Sequence, residues 1–173
     1  MFLNFARQQE ALRDLNIIWL QKKTKIRKSG AWKEVTVSVF PGYLFLDIEN
    51  ITYPVYAAVK SIPVFIKFLR RNDNIQPLSE NDRKILVHFL SFGKVIGKSQ
   101  VCFDKDMRIK VLSGPLKGLE GHIVKVDRRK QKAKILVDLY ESGFYISLDF
   151  EVIKKAEDEA DSTDNGIPNP VIE

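Results

Sequence analysis

Residues 108–126, RIKVLSGPLKGLEGHIVKV, constrain the fold of this chain more than any other stretch: two β-patterned runs are joined by a segment holding Gly114, Gly118 and Gly121. Ile109 and Val111 alternate with Arg108 and Lys110; further on, Leu119 and Ile123 bracket Gly121 before Val124 and Val126 continue. That is the period of half-buried strands. Ser113, Gly114 and Pro115 form a turn cluster in which glycine supplies positive φ and proline fixes its own, while Gly118 and Gly121 allow tight bending or close backbone approach. Ala133, Ile135 and Val137 then alternate with Lys134, Leu136 and Asp138 after a basic turn, and GFYISLDFEVI is a further β-rich run. Four or five short antiparallel strands in roughly fifty residues predict a small barrel.

The chain before this segment reads as a mixed unit. MFLNF has the pattern of an edge strand, and ARQQEALRDL that of a short helix with Ala11, Leu12 and Leu15 on one side. IIWLQKKTKI and KEVTVSVF, separated by the turn signal Ser29-Gly30, predict a protruding basic hairpin. In FPGYLFLDIE, alternation puts Leu44, Leu46 and Ile48 on one face and Tyr43, Phe45 and Asp47 on the other. Pro41-Gly42 breaks that pattern and brings Phe40 and Tyr43 together on a shallow apolar patch. Thr52 caps a helix with Pro54 in its first turn and Val55, Ala58 and Val59 inward. VFIKFL returns as a strand, and Ser79 caps a last helix whose Ile85, Leu86, Phe89 and Leu90 make an apolar stripe ending near Gly93. The order β-α-β-β-β-α-β-α predicts an α+β fold, a ferredoxin-like α/β sandwich over residues 1–92, followed by a linker at 93–101 and the barrel at 102–155.

Charge is uneven. Residues 157–173 hold six acids and no base, so residues 1–156 carry 28 − 16 = +12. Residues 156–173 have few large apolar groups and are read as a disordered acidic tail. No run approaches the ~18 apolar residues of a membrane helix, and Met1 is not followed by a signal segment; a cytoplasmic protein with no membrane partner is expected. The lone Cys102 excludes an internal disulfide and any cysteine metal cluster. His88 and His122 have no ligand-type partners at metal spacing, and the glycines precede a β-run without a Gly-Lys-Ser/Thr ending. With no Ser, His and acid pattern either, the reading is of a non-enzyme without metal or cofactor.

RIKVLSGPLKGLEGHIVKVD resembles the KOW motif, the small SH3-like β-barrel of ribosomal proteins and NusG-type transcription factors. FPGYLFLDIE at 40–49 resembles the signature strand of the NusG N-terminal (NGN) domain, and VKSIPVFIKFL with QPLSENDRKIL its later helix, strand and helix. The parts occur in the same order, and the resemblance to the NusG superfamily covers about residues 1–155. It implies that Phe40, Tyr43 and Tyr56 lie in a hydrophobic depression that receives the clamp helices of the RNA polymerase β′ subunit, with Lys60 pairing with acids there. Aromatics suit such a groove because they bury large area with little rotamer entropy; from the residues alone, both aromatics of FPGYLF simply packing inward is the other reading. The chain departs from the family in a shortened start, in Val64 where glycine is common after proline, and in RRNDN at 70–74. There Arg70 and Arg71 either contact non-template DNA or belong to a solvated loop.

A second basic cluster, Lys125, Arg128, Arg129, Lys130, Lys132 and Lys134, falls within ten residues, with Lys117 in the turn after Gly114. Such a cluster can neutralise phosphates: Lys130, Lys132 and Lys134 would line one side of the barrel, unless the run is an ordinary solvated face. Tyr140, Phe144 and Tyr145 offer stacking surfaces if exposed and complete the barrel if buried. The turn DRRKQKAK makes the chain more similar to the LoaP-type specialised antiterminators, whose KOW domain recognises an RNA hairpin. The resemblance thus implies a monomeric elongation and antitermination factor that holds RNA polymerase through its NGN domain and an RNA hairpin in a leader transcript through its KOW domain. The alternatives are a general NusG-like factor whose KOW domain binds the ribosome or a termination factor, and a ribosomal-type structural RNA binder.

Overall fold

The computed structural model describes residues 2–69, 75–139 and 142–153. The acidic tail, the Arg70/Arg71 loop and Tyr140 lie outside the described residues. Two short helices, α1 (Phe2–Ala6) and α2 (Glu10–Arg13), precede β1 (Asn16–Ile18), the hairpin β2 (Gln21–Lys28) and β3 (Ala31–Ser38), and β4 (Phe45–Asp47). Then come α3 (Tyr53–Ser61), α4 (Glu80–Leu90) and the short β5 (Val95–Ile96). The C-terminal part is β6 (Ser99–Phe103), β7 (Ile109–Ser113), a 3-10 turn at Glu120–His122, β8 (Ile123–Asp127), β9 (Lys132–Leu139) and β10 (Ser142–Val152).

Local chemistry accounts for most of these limits. Ser29 and Gly30 sit at φ +52° and +80°, the paired left-handed geometry that lets a two-residue hairpin follow strand twist, and β2 pairs β3 from Lys28↔Ala31 to Gln21↔Ser38. The Ser79 hydroxyl accepts the Asp82 amide at 3.2 Å to start α4, which ends before Gly93 at φ +96°. Gly114 is sterically required: at φ +92°, an added Cβ would stand 2.7 Å from the Ser99 Cα. Gly121 meets no such neighbour and lies in the 3-10 turn, so the close approach expected of it belongs to Gly114.

Strands β7-β6-β10-β9-β8 form a curled five-stranded sheet of the SH3-like kind. One seam departs from the antiparallel expectation: β10, eleven residues long, runs antiparallel to β9 and extends on to pair in parallel with β6, Phe150↔Ser99 to Val152↔Val101. In the N-terminal part, β1 and β4 form a two-stranded sheet with Ile17↔Leu46 and Ile18↔Phe45. Alternation sends Ile17 and Leu46 to a cluster with Leu12, Val59 and Ile62, and Ile18 and Phe45 to the main core. That main core is shared, since Leu20, Phe40 and Phe89 join Val101, Leu116, Ile135 and Phe150 in one cluster.

Three expected elements differ. Phe2–Ala6 is helical where MFLNF predicts an edge strand, because Phe2, Phe5 and Ala6 together face the cluster around α3. VFIKFL forms no strand; Phe65 and Phe68, three apart, both turn into that cluster while Val64 and Ile66 stay exposed. The segment 93–101 is not free chain, as β5 pairs in parallel with β2 (Gln21↔Val95, Lys22↔Ile96) and Ile96 and Ser99 are fully buried.

Candidate functional site

The FPGYLF turn brings Phe40 and Tyr43 together as expected, but inward. Gly42 at φ +86° allows the Tyr43 amide to donate to the Phe40 carbonyl at 3.1 Å, and both rings then face α4 and the barrel. Phe40 is 1% exposed and makes edge contacts with Phe45 (5.6 Å), Phe89 (6.1 Å) and Phe144 of β10 (6.4 Å). Tyr43, half-buried, meets the same Phe144 at 5.3 Å. The shallow surface patch expected here is therefore covered: Phe144 lies over it, and Phe40 is a core residue.

Tyr56 and Lys60 are elsewhere. On α3, Lys60 Nζ sits 5.1 Å from the centre of the Tyr56 ring and donates to its hydroxyl at 3.2 Å, while Tyr56 stacks on Phe68 at 5.7 Å. They flank the cluster on the opposite face of the β1-β4 sheet from Phe40 and Tyr43. Tyr53 and Ile66 add exposed apolar surface to that side.

Several members of the basic cluster make local contacts, and all but Lys132 stay exposed. Arg128 folds back over the Phe103 ring, 4.5 Å away, and donates to the Met107 carbonyl. Lys130 lies in the turn before β9, where its amide donates to Asp127 at 2.9 Å and its ammonium stands 3.9 Å from the same carboxylate. Lys117 donates to the Val111 carbonyl at 3.0 Å and lies 4.0 Å from Glu120. Lys132 turns away from solvent to bond Thr24 at 2.8 Å and to approach Asp149 at 3.6 Å. The single stripe Lys130-Lys132-Lys134 is therefore not formed. Arg129 is exposed in the turn, and on the outer face Lys125 lies opposite Lys134 in register. Lys134 Nζ lies 4.2 Å from the ring centre of Tyr145, which is 62% exposed.

A polar lock joins the hairpin to the barrel. The Thr24 hydroxyl lies 2.9 and 2.8 Å from the two Asp149 oxygens, with both residues buried, and Lys22 donates to the Ser147 carbonyl. Burial is the main cause lowering the Lys22 pKa from 10.5; Asp149 opposes this and Lys132 reinforces it. On α4, His88 Nε2 is 2.9 Å from the Pro115 carbonyl. One sign was present in the sequence: Asp149 sits between Leu148 and Phe150, so a strand that buries both neighbours directs it to the other face, where it needs a partner.

Among the described residues no group of three His, Cys, Asp or Glu side chains is placed to hold a metal ion, and no helix is long and apolar enough to cross a membrane. A mixed α/β unit is thus followed by a curled five-stranded β-sheet. Residues 5–87 match the family described as "Transcription termination factor nusG" and residues 108–138 match "KOW motif". The two matches fall in the order of the NusG family, NGN before KOW, and the chain is similar to that family over both segments. It is 25% identical over 149 residues to "Transcription termination/antitermination protein NusG" of Thermus thermophilus, covering 81% of this chain and 79% of that protein. To the proteins of the same name from Bacillus subtilis and Synechocystis it is 25% and 27% identical, covering 74% and 76% of this chain and 72% and 68% of theirs.

Proposed function

We propose that this NusG-type termination/antitermination factor is a specialised antiterminator: it holds RNA polymerase through its NGN domain and reads a structured leader RNA through its KOW domain. RNA polymerase is the partner that the resemblance to the NusG family implies, and the aromatic surface of α3 with Tyr56 and Lys60 offers a clamp helix a contact without rearrangement. For Phe40 and Tyr43 to join that contact, the barrel must first leave Phe144's position over them. Arg70 and Arg71 are proposed to touch non-template DNA.

The observation that carries the RNA half is the outer barrel face, where Lys125 and Lys134 are cross-strand partners beside exposed Tyr145. Two cations next to an open ring suit phosphate contact combined with base stacking. The test is a gel-shift titration of the full chain on a leader-type hairpin and on an unstructured RNA of equal length, across a salt series. Charge reversal at Lys125 and Lys134 should abolish the preference for the hairpin while leaving polymerase co-purification intact. Wild-type protein that retains no RNA at moderate salt would favour the second reading, a general NusG role with a protein partner on the KOW domain, for which the general NusG relatives speak.

A further inference from the structure

The hairpin β2-β3 has two unlike faces. Register places Lys22, Thr24, Val35 and Val37 on the side that packs toward the barrel, and all are buried or half-buried. The other side carries Lys23, Lys25 and Arg27 at every second position of β2, opposite Thr36, Glu34 and Trp32 of β3, and all six are exposed. Trp32, directly across from Arg27, is 62% exposed. Over residues 21–38 the hairpin holds six bases against the single acid Glu34.

Charge alone would describe a solvated face; the tryptophan does not fit that description. Its register partner Arg27 can cover part of the indole, while Trp32 as a whole stays 62% open to water. The lock formed by Thr24, Asp149 and Lys132 holds the base of the hairpin rigid against the barrel, while the half beyond Thr24 projects, with Ile26 and Lys28 exposed even on the barrel side. The result is a fixed platform with cations spaced along a line and a flat aromatic at its outer end.

We propose that this outer hairpin face is a second nucleic-acid site, separate from the barrel face, and that it takes single-stranded nucleic acid: Lys23, Lys25 and Arg27 track the phosphates while Trp32 stacks on a base. Stacking requires an unpaired base, and every base has a π-face, so the site selects single strands over duplex with little sequence preference. Glu34, facing Lys25, keeps the local charge from becoming a uniform phosphate trap.

The test uses the full chain with Trp19→Phe, which leaves Trp32 as the sole indole reporter. Oligo-dT, oligo-U and a duplex of equal length are titrated while Trp32 fluorescence is followed. The expected result is quenching by both single strands, or by the one that is the natural ligand, and much weaker binding of duplex. In an anisotropy assay with labelled strand, Trp32→Ala should weaken affinity ~10-fold while Trp32→Phe restores most of it. Replacing Lys23, Lys25 and Arg27 with Gln should flatten the salt slope by about 2. Reversing Lys125 and Lys134 should leave the quenching unchanged, which separates this site from the RNA face proposed above. Unquenched Trp32, equal binding of duplex, or a Trp32→Ala variant with wild-type affinity and melting temperature would each overturn the proposal.

Discussion

The hydroxyl of Thr24 and the carboxylate of Asp149 lie 2.8 Å apart although 125 positions separate them in the chain. The bond ties a strand of the N-terminal domain to the last strand of the barrel, and Lys22 and Lys132 are drawn in beside it.

Asp149→Ala leaves two ammonium groups side by side with no anion between them. It should destabilise the chain on the order of 3 kcal/mol, read as a lower melting temperature, whereas Thr24→Val should cost about half as much.

Lys22 carries a pH signature. Its folded pKa lies below the ordinary 10.5 because of burial, so in the window between the two values the unfolded chain binds more protons than the folded one. Stability from this group therefore rises with pH across that alkaline window. Urea melts at increasing pH should show the gain in wild type and lose it in Lys22→Met.

Phe40 is unsuited to probing a surface contact. Phe40→Ala should cost about 3–5 kcal/mol by opening a cavity among Phe45, Phe89 and Phe144, and any loss of polymerase binding would be confounded with unfolding. Tyr56→Ala with Lys60→Ala should lose polymerase binding in a co-purification assay at near wild-type stability. Unaltered affinity would remove α3 from the proposed contact.

Phe144→Ala separates the two roles of the aromatic seam. If Phe40 and Tyr43 contribute to polymerase binding, uncovering them should raise affinity in the same assay while lowering the melting temperature. A variant that is less stable but binds no better would assign both rings to packing alone.

Gly114→Ala combines a left-handed φ with a Cβ placed 2.7 Å from Ser99, and should destabilise clearly more than Gly30→Ala, which meets nothing within 4 Å and costs about 1–2 kcal/mol for its φ alone. Parallel denaturant melts of the two variants give the comparison.

Elements governed by local rules were legible in the sequence. The Ser29-Gly30 hairpin, the Ser79 cap and the alternation of Ala133, Ile135 and Val137 all depend on residues close in the chain, and all appear where their patterns point. Illegible were the features decided by what a face meets. Period two correctly grouped Tyr43 with Phe45, but it says nothing of whether that side meets solvent or Phe144. Lys132 has the pattern of an outward lysine, and only Asp149 from the neighbouring strand explains why it turns in. Phe2 and Phe5 suit a strand or a helix equally over five residues, and the cluster around α3 decides between them.

The pairing of Val95–Ile96 with β2 makes the join between the domains a stored length of rope. While it stays zipped to the hairpin the barrel has no slack, and it cannot drift from the N-terminal domain. Peeled away, residues 93–98 would pay out roughly 20 Å of extended chain, so reach becomes available only after a strand has been surrendered, and the barrel's range of travel switches on in a single step.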